Sequence, residues 1–218
     1  MSWSKKQLKK ANLYLILDAG ACLPDRQVLS YKELLAQLRA AVRAGVDIVQ
    51  LRSKNGNAKD ILEFCKQAKK ITEKKALFIV NDRIDLALLA DADGVHLGQD
   101  DIPYKQARKM MGPRAIIGVS CQNLEHAKVA QAQGADYLGF GSVFKTKTKP
   151  ERQPMNLKLL KNVIEAIKIP VFPIGGINLN NLNQVTAQGA KRVAVCRDIL
   201  LAKNAGKVVC EFKRILRG

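Results

Sequence analysis

The sequence is poor in aromatic residues, at 5% of 218, and holds one tryptophan and two histidines. With so few histidines and no C-x-x-C pair, a transition-metal centre built from imidazoles and thiolates has little to draw on. The five cysteines, Cys22, Cys65, Cys121, Cys196 and Cys210, are odd in number and scattered, so reduced thiols are expected. Every apolar stretch is broken well before membrane-spanning length, which excludes a transmembrane helix. The opening segment, Met1 to Ala11, is polar and lysine-rich and lacks the long apolar run of a secretory signal, so a cytoplasmic protein is expected.

Acidic residues are also scarce: 19 Asp and Glu stand against 37 Lys and Arg, a net charge of +18. Such a surplus favours anionic ligands and attracts nucleic acid non-specifically. The lysines, however, are spread along segments such as Lys66 to Lys75, on expected helix surfaces. No zinc-finger spacing or aromatic-rich signature accompanies them, which speaks against a nucleic-acid-binding role.

What is present is an alternation. An apolar run appears eight times, at Leu13 to Leu17, Val46 to Leu51, Leu77 to Val80, Gly94 to Leu97, Ala115 to Val119, Tyr137 to Phe140, Val171 to Ile174 and Arg192 to Val195. The runs are short, largely unalternated and rich in Val, Ile and Leu, as strands buried on both faces require. Between them lie helical stripes: Leu34, Leu38, Ala41 and Val42; Ile61, Leu62, Cys65, Ala68 and Ile71; Leu157, Leu160, Ile164 and Ile167; Val208, Val209, Phe212 and Ile215. The phrases Ala44-Gly45-Val46-Asp47, Gln133-Gly134-Ala135-Asp136 and Gln188-Gly189-Ala190-Lys191 each end a helix on glycine just before a strand. Eight βα units in one domain, 1–218, with a short polar extension at 1–11, predict a (β/α)8 TIM barrel, with an open doubly wound sheet as the other arrangement.

In a barrel the chemistry collects at the carboxyl ends of the strands. The second strand runs into Gln50-Leu51-Arg52-Ser53-Lys54, where alternation turns Arg52 and Lys54 to one side, a fork and a point charge suited to a polyphosphate. Strand three ends in Asn81-Asp82-Arg83, and strand four leads to His96-Leu97-Gly98-Gln99-Asp100-Asp101. Asp82 and Asp101 offer hard oxygen ligands for Mg²⁺ shared with substrate phosphate. Helix capping is the alternative for both. Ser120, after strand five, either holds a substrate atom or caps the next helix. His96 is either interior packing or a partner behind the site.

After strand six comes Gly139-Phe140-Gly141-Ser142-Val143-Phe144-Lys145-Thr146-Lys147-Thr148-Lys149-Pro150. Its Thr146, Thr148 and Lys149 could close over a charged substrate, or the segment is a mobile surface loop. Gly175 and Gly176 after strand seven let backbone N–H groups approach a phosphate, and Asn178 is placed to start a helix. The Val195-Cys196-Arg197 turn after strand eight completes the expected barrel phosphate site.

Over essentially its whole length the chain resembles the thiamine-phosphate synthases. The matching pieces fall in order: Q-L-R-S-K from Gln50, N-D-R from Asn81, G-V-H-L-G-Q-D-D from Gly94, G-V-S from Gly118, F-G-S-V-F-K-T-K-T-K from Phe140 and I-G-G-I from Ile174. That family joins 4-amino-5-hydroxymethyl-2-methylpyrimidine diphosphate to 4-methyl-5-(2-phosphoethyl)thiazole, releasing pyrophosphate. The resemblance implies that Gln50, Arg52, Lys54, Asn81, Ser120 and Lys149 hold the pyrimidine diphosphate. It implies Asp82 and Asp101 for Mg²⁺, and Thr146, Thr148, Gly176 and the turn around Cys196 for the thiazole phosphate. It leaves homo-oligomerisation open.

Three positions depart from the pattern: Lys145 replaces a common proline, Lys191 the aspartate of the repeated phrase, and Arg197 a small hydroxyl residue. Two other readings compete. The related thiazole tautomerases use a histidine two residues beyond the strand-five serine, where this chain has Gln122. A barrel that binds thiamine-pathway phosphates without turnover is the other.

Overall fold

A computed structural model describes residues 3–20, 28–148 and 153–217. Lys149 and Cys22 lie outside these described residues. The order opens with α1 (Trp3–Lys10), β1 (Leu13–Asp18), α2 (Tyr31–Arg43), β2 (Ile48–Arg52), α3 (Ala58–Thr72) and β3 (Leu77–Asn81). It continues through α4 (Ile84–Leu89), β4 (Gly94–Leu97), α5 (Tyr104–Met111), β5 (Ile116–Cys121), α6 (Leu124–Gln133) and β6 (Tyr137–Phe140). Last come α7 (Leu157–Ala166), β7 (Val171–Pro173), α8 (Leu182–Thr186), β8 (Val193–Val195), α9 (Arg197–Leu200) and α10 (Ala205–Arg217).

All eight strands are parallel, in the order β7-β6-β5-β4-β3-β2-β1-β8. Because β8 pairs with β1 while β7 stands beside β8, the sheet curls into a nearly closed (β/α)8 barrel rather than an open sheet. Among the described residues the β7–β8 junction is the one carrying no strand ladder.

Two apolar layers result. Tyr14, Ile16, Ile48, Leu77, Ile79, Ile116, Tyr137, Phe172 and Ala194 fill the interior, and alternate residues of the same strands pack outward on the helices. This double burial is why the strands read as unbroken apolar runs. Gly118 makes room in the interior: a Cβ there would sit 2.1 Å from Cζ of Tyr137.

The helix stripes hold with local shifts. Leu34, Leu38, Ala41 and Val42 of α2 are buried as expected, under a capping box between Ser30 and Glu33. In α3 Phe64 takes the buried face, while Leu62 and Ile71 are only half-buried. In α10 Lys213 is buried because its ammonium meets Asp47 Oδ2 at 2.7 Å. The three helix-ending glycines, Gly45, Gly134 and Gly189, all take positive φ, as a C-terminal left-handed cap demands. The polar opening segment is a helix, and Leu8 with Ala11 closes the bottom of the barrel interior.

Candidate active site

At the carboxyl end of the barrel a cavity of about 330 Å³ opens among the strand ends and the β6–α7 loop. It brings together Gln50, Arg52, Asn81, Ser120, Thr146, Thr148, Gly176 and Cys196. Apart from the loop residues and Gly176, these belong to the strand parity that faces the barrel interior or continue it, so the pleat itself aims them into one mouth. Val195 differs: its side chain is buried on the opposite face, against the helices, and its neighbour Cys196 reaches the cavity instead.

Arg52 is held from one side. Its Nη1 donates to Asp18 Oδ1 at 3.1 Å, and Asp18 is itself buried at the end of β1. Arg52 Nε is buried without a hydrogen-bond partner. A guanidinium fixed by one carboxylate and carrying a spare buried donor is prepared for an anion.

Behind the wall runs a chain of side-chain hydrogen bonds. Gln50 Nε2 donates to the Tyr14 hydroxyl at 2.6 Å, and the Tyr14 and Tyr137 hydroxyls lie 2.7 Å apart. His96 Nδ1 lies 3.0 Å from the Tyr137 hydroxyl, and His96 Nε2 lies 2.9 Å from Ser120 Oγ. Burial pushes both tyrosine pKa values upward, keeping the phenols neutral. His96 is therefore a partner behind the site. Ser120 lies inside β5 and caps nothing, since Asn123 supplies the cap of α6.

Lys54, Asp82 and Asp101 do not line the cavity; they form a cluster beside it, reached through Asn81. Lys54 Nζ pairs with Asp82 Oδ2. Asp82 adopts positive φ, a conformation Asp tolerates better than most residues, and Arg83 rather than Asp82 occupies the cap position of α4. Asp101 Oδ2 accepts the Gly98 N–H at 2.6 Å, and Pro103 occupies the cap position of α5. The capping alternative thus fails for both carboxylates. Burial, and then the nearby Asp82 carboxylate within hydrogen-bonding reach, raise the Asp101 pKa.

The opposite wall is built on backbone. Val143 N donates to Ile174 O and Phe144 N to Gly175 O, each at 2.9 Å, which ties the start of the strand-six loop over the end of β7. Gly175 and Gly176 have φ of +105° and +64°, and a Cβ on Gly176 would meet Lys145 O at 2.5 Å. Thr146 Oγ1 accepts the Thr148 N–H at 3.3 Å. Burial, then the Asp18 carboxylate, push the Cys196 thiol up to about 12. Asn178 starts no helix; its Oδ1 accepts the N–H groups of Asn180 and Asn181, and α8 begins after Asn181. Lys145 and Arg197, two departures from the expected pattern, both line the cavity.

Sequence reasoning missed Asp18, Tyr14, Tyr137 and Asp198 as site residues, all at or behind this cavity. Asp18 had a local signal, an acidic residue directly after an apolar run. The tyrosines had none.

The family model described as thiamine monophosphate synthase matches residues 13–199. The chain belongs to the thiamine-phosphate synthase family. It is 46% identical over 201 residues to the thiamine-phosphate synthase of Synechococcus sp. strain WH7803, covering 92% of this chain and 55% of that protein. The chain thus spans about half the length of the first curated relatives it matches. With the thiamine-phosphate synthase of Fusobacterium nucleatum it shares 38% identity, over 93% of this chain and 95% of that one. A solved thiamine phosphate pyrophosphorylase from Pyrococcus furiosus superposes with a TM-score of 0.83 at 35% identity, covering 98% and 97% of the two chains. An N-acetylmannosamine-6-phosphate 2-epimerase from Clostridium perfringens, at 18% identity and TM-score 0.67, shares the fold.

Proposed function

We propose that this chain is an enzyme condensing 4-amino-5-hydroxymethyl-2-methylpyrimidine diphosphate with 4-methyl-5-(2-phosphoethyl)thiazole, forming thiamine phosphate and pyrophosphate. The observation that carries the reading is Arg52. Asp18 fixes its guanidinium at the cavity wall, with a buried Nε left to donate, in a cavity that Gln50, Asn81 and Ser120 also line. Family membership supports the same reaction.

Bond breaking at the pyrimidine methylene leaves positive charge the aminopyrimidine ring can carry, so the leaving diphosphate is what needs stabilising. Arg52 and Lys54, with Lys149 outside the described residues, are the cations for it. Gln50, Asn81 and Ser120 orient the pyrimidine. Thr146, Thr148, Gly176 and the Cys196 turn anchor the thiazole phosphate, which makes nitrogen attack on the methylene an intramolecular-like step. The strand-six loop keeps water from that carbon.

Asp82 and Asp101 fit Mg²⁺. Two carboxylates are held close together, Asp82 is paired with Lys54, and burial disfavours charge on Asp101. Among the described residues no group of three or more His, Cys, Asp or Glu side chains forms, so water and substrate oxygens would complete the shell. When bound, Mg²⁺ would neutralise the departing diphosphate as a Lewis acid.

The tautomerase reading lacks its base: Gln122 is exposed, and His126 sits on α6 away from the cavity. A cytoplasmic setting fits the free thiols Cys65, Cys121, Cys196 and Cys210. Among the described residues no helix is long and apolar enough to cross a membrane. The basic surface would attract nucleic acid only non-specifically.

The test is turnover of purified protein with both heterocycles at graded Mg²⁺, wild type against Asp101→Ala. The reading requires product from wild type and a fall in kcat of about 10²-fold or more in the variant, the scale of losing a transition-state charge stabiliser. Ligand binding without product would establish the binder instead, and unchanged Mg²⁺-dependent turnover in Asp101→Ala would remove Asp101 from the site.

A further inference from the structure

A second cavity, of about 740 Å³, opens at the opposite, amino-terminal end of the barrel, where the starts of β7 and β8 meet. Its walls carry Lys5, Lys9, Lys168, Lys191 and Arg192 and, among the described residues, a single carboxylate, Asp136. That carboxylate is already engaged, by Lys5 at 2.9 Å, by Arg108 at 2.6 Å and by the Ile117 N–H at 2.9 Å.

The other even-numbered strands show what this junction lacks. Just before β2, Asp47 Oδ2 accepts the N–H of Leu13 in β1 at 2.9 Å and meets Lys213. Just before β4, Asp93 Oδ2 accepts the N–H of Phe78 in β3 at 2.9 Å and meets Lys69 at 3.0 Å. Just before β6, Asp136 does the same for Ile117 in β5 and Arg108. In each case one carboxylate clamps the preceding odd strand to the even one and neutralises a cation from a helix. At β8 the corresponding phrase ends in Lys191, which cannot accept a hydrogen bond, and there the strand ladder is missing among the described residues.

Arg192, the next residue, aligns with Ile48, Gly94 and Tyr137, the first residues of β2, β4 and β6. Its guanidinium lies 5.7 Å from the Phe172 ring centroid, and no carboxylate or hydrogen-bond partner among the described residues meets it. Burial alone lowers its pKa. A half-buried guanidinium over an aromatic floor, in a groove also lined by Lys168 and Lys191, has the donors of an anion site, and among the described residues no carboxylate pairs with it.

We propose that this groove binds a small phosphate group, free or as the monoester of a small molecule, which takes the part that aspartate plays at the three sister junctions and ties β7 to β8. The site is separate from the carboxyl-end cavity and does not depend on the reaction assigned there.

Thermal unfolding in inorganic phosphate, compared with chloride at equal ionic strength, tests it on wild type, Lys191→Asp, Arg192→Met and Arg52→Gln. Glycerol phosphate in a parallel series distinguishes a monoester from the free ion. At a tenfold excess over Kd, phosphate should raise the wild-type midpoint by about 3–5 °C. Arg52→Gln should keep most of that response, and Arg192→Met should respond less than wild type by the share this groove contributes. Lys191→Asp should be more stable than wild type in chloride and less responsive to phosphate by the same share, because it carries its own carboxylate. Equal responses in wild type, Arg192→Met and Lys191→Asp would overturn the proposal, as would a matching rise in chloride or a response lost only in Arg52→Gln. Lysine acetylation of wild type, read by mass spectrometry, avoids any folding defect: phosphate should shield Lys168 and Lys191 but not Lys207, and equal labelling at all three would likewise overturn it.

Discussion

His96 Nε2 lies 2.9 Å from Ser120 Oγ, so the serine at the cavity wall is held from behind by an imidazole that is itself held by Tyr137. With the Gln50 amide nitrogen donating to Tyr14, one proton order that satisfies every pair runs through Tyr14 and Tyr137 to His96 Nδ1. In that order His96 Nε2–H donates to Ser120 Oγ, and the serine hydroxyl hydrogen is available to a ligand.

Tyr137→Phe breaks this chain in its middle and leaves the Tyr14 hydroxyl and His96 Nδ1 without their partner. The expected cost is about 1–3 kcal/mol of stability, the penalty for unsatisfied buried polar groups. Denaturant unfolding measures it. Because Ser120 loses its orientation, KM for the pyrimidine substrate should rise in the same variant, whereas a purely structural role would leave KM unchanged.

Asp18→Asn removes the charge that fixes Arg52 at 3.1 Å. The diphosphate then meets a guanidinium free to turn away. A fall in kcat/KM of about tenfold, equivalent to about 1.4 kcal/mol, is expected from steady-state kinetics. An unaltered kcat/KM would show that Asp18 does not position Arg52.

Ser30→Ala provides a contrast far from the chemistry. It removes the capping box of α2, where the Ser30 hydroxyl accepts the Glu33 N–H and the Glu33 carboxylate accepts the Ser30 N–H. Loss of about 1 kcal/mol is expected, or about 2–4 °C in Tm, with kcat unchanged.

Alkaline pH should destabilise the fold through buried thiols. Burial raises Cys65, Cys121 and Cys196 from an ordinary 9.0 to about 12. Raised pKa values mean the unfolded chain loses these protons first, so the stabilisation is complete below about pH 9 and is lost as pH rises toward 12. Unfolding midpoints measured from pH 8 to 11 should therefore fall progressively. A flat profile would contradict the assigned burial.

The fold was legible because its signals are local. Short apolar runs, helix stripes such as Leu34, Leu38, Ala41 and Val42, and glycines at the αβ turns each report their surroundings within a few residues. Gln50, Arg52, Asn81 and Ser120 were legible for the same reason, as polar residues at the ends of apolar strands. The contact between Tyr14 and Tyr137 was not, because it joins β1 to β6 across the barrel interior, 123 residues apart, and in sequence both rings look like ordinary strand residues. Leu8 was hidden as one apolar residue in a lysine-rich segment, although it seals the barrel floor. Lys54 pairs with Asp82, whose backbone is left-handed, a conformation the residue type permits without announcing.

The central claim is that a single cavity holds a departing diphosphate and an incoming thiazole phosphate together. It is tested most directly by following pyrophosphate and thiamine phosphate in the same reaction by mass-resolved detection, with each heterocycle supplied alone and then both. The account predicts equimolar appearance of the two products only when both substrates and Mg²⁺ are present. Pyrophosphate released at the same rate from the pyrimidine diphosphate alone, or tight binding of both heterocycles with no product, would contradict it.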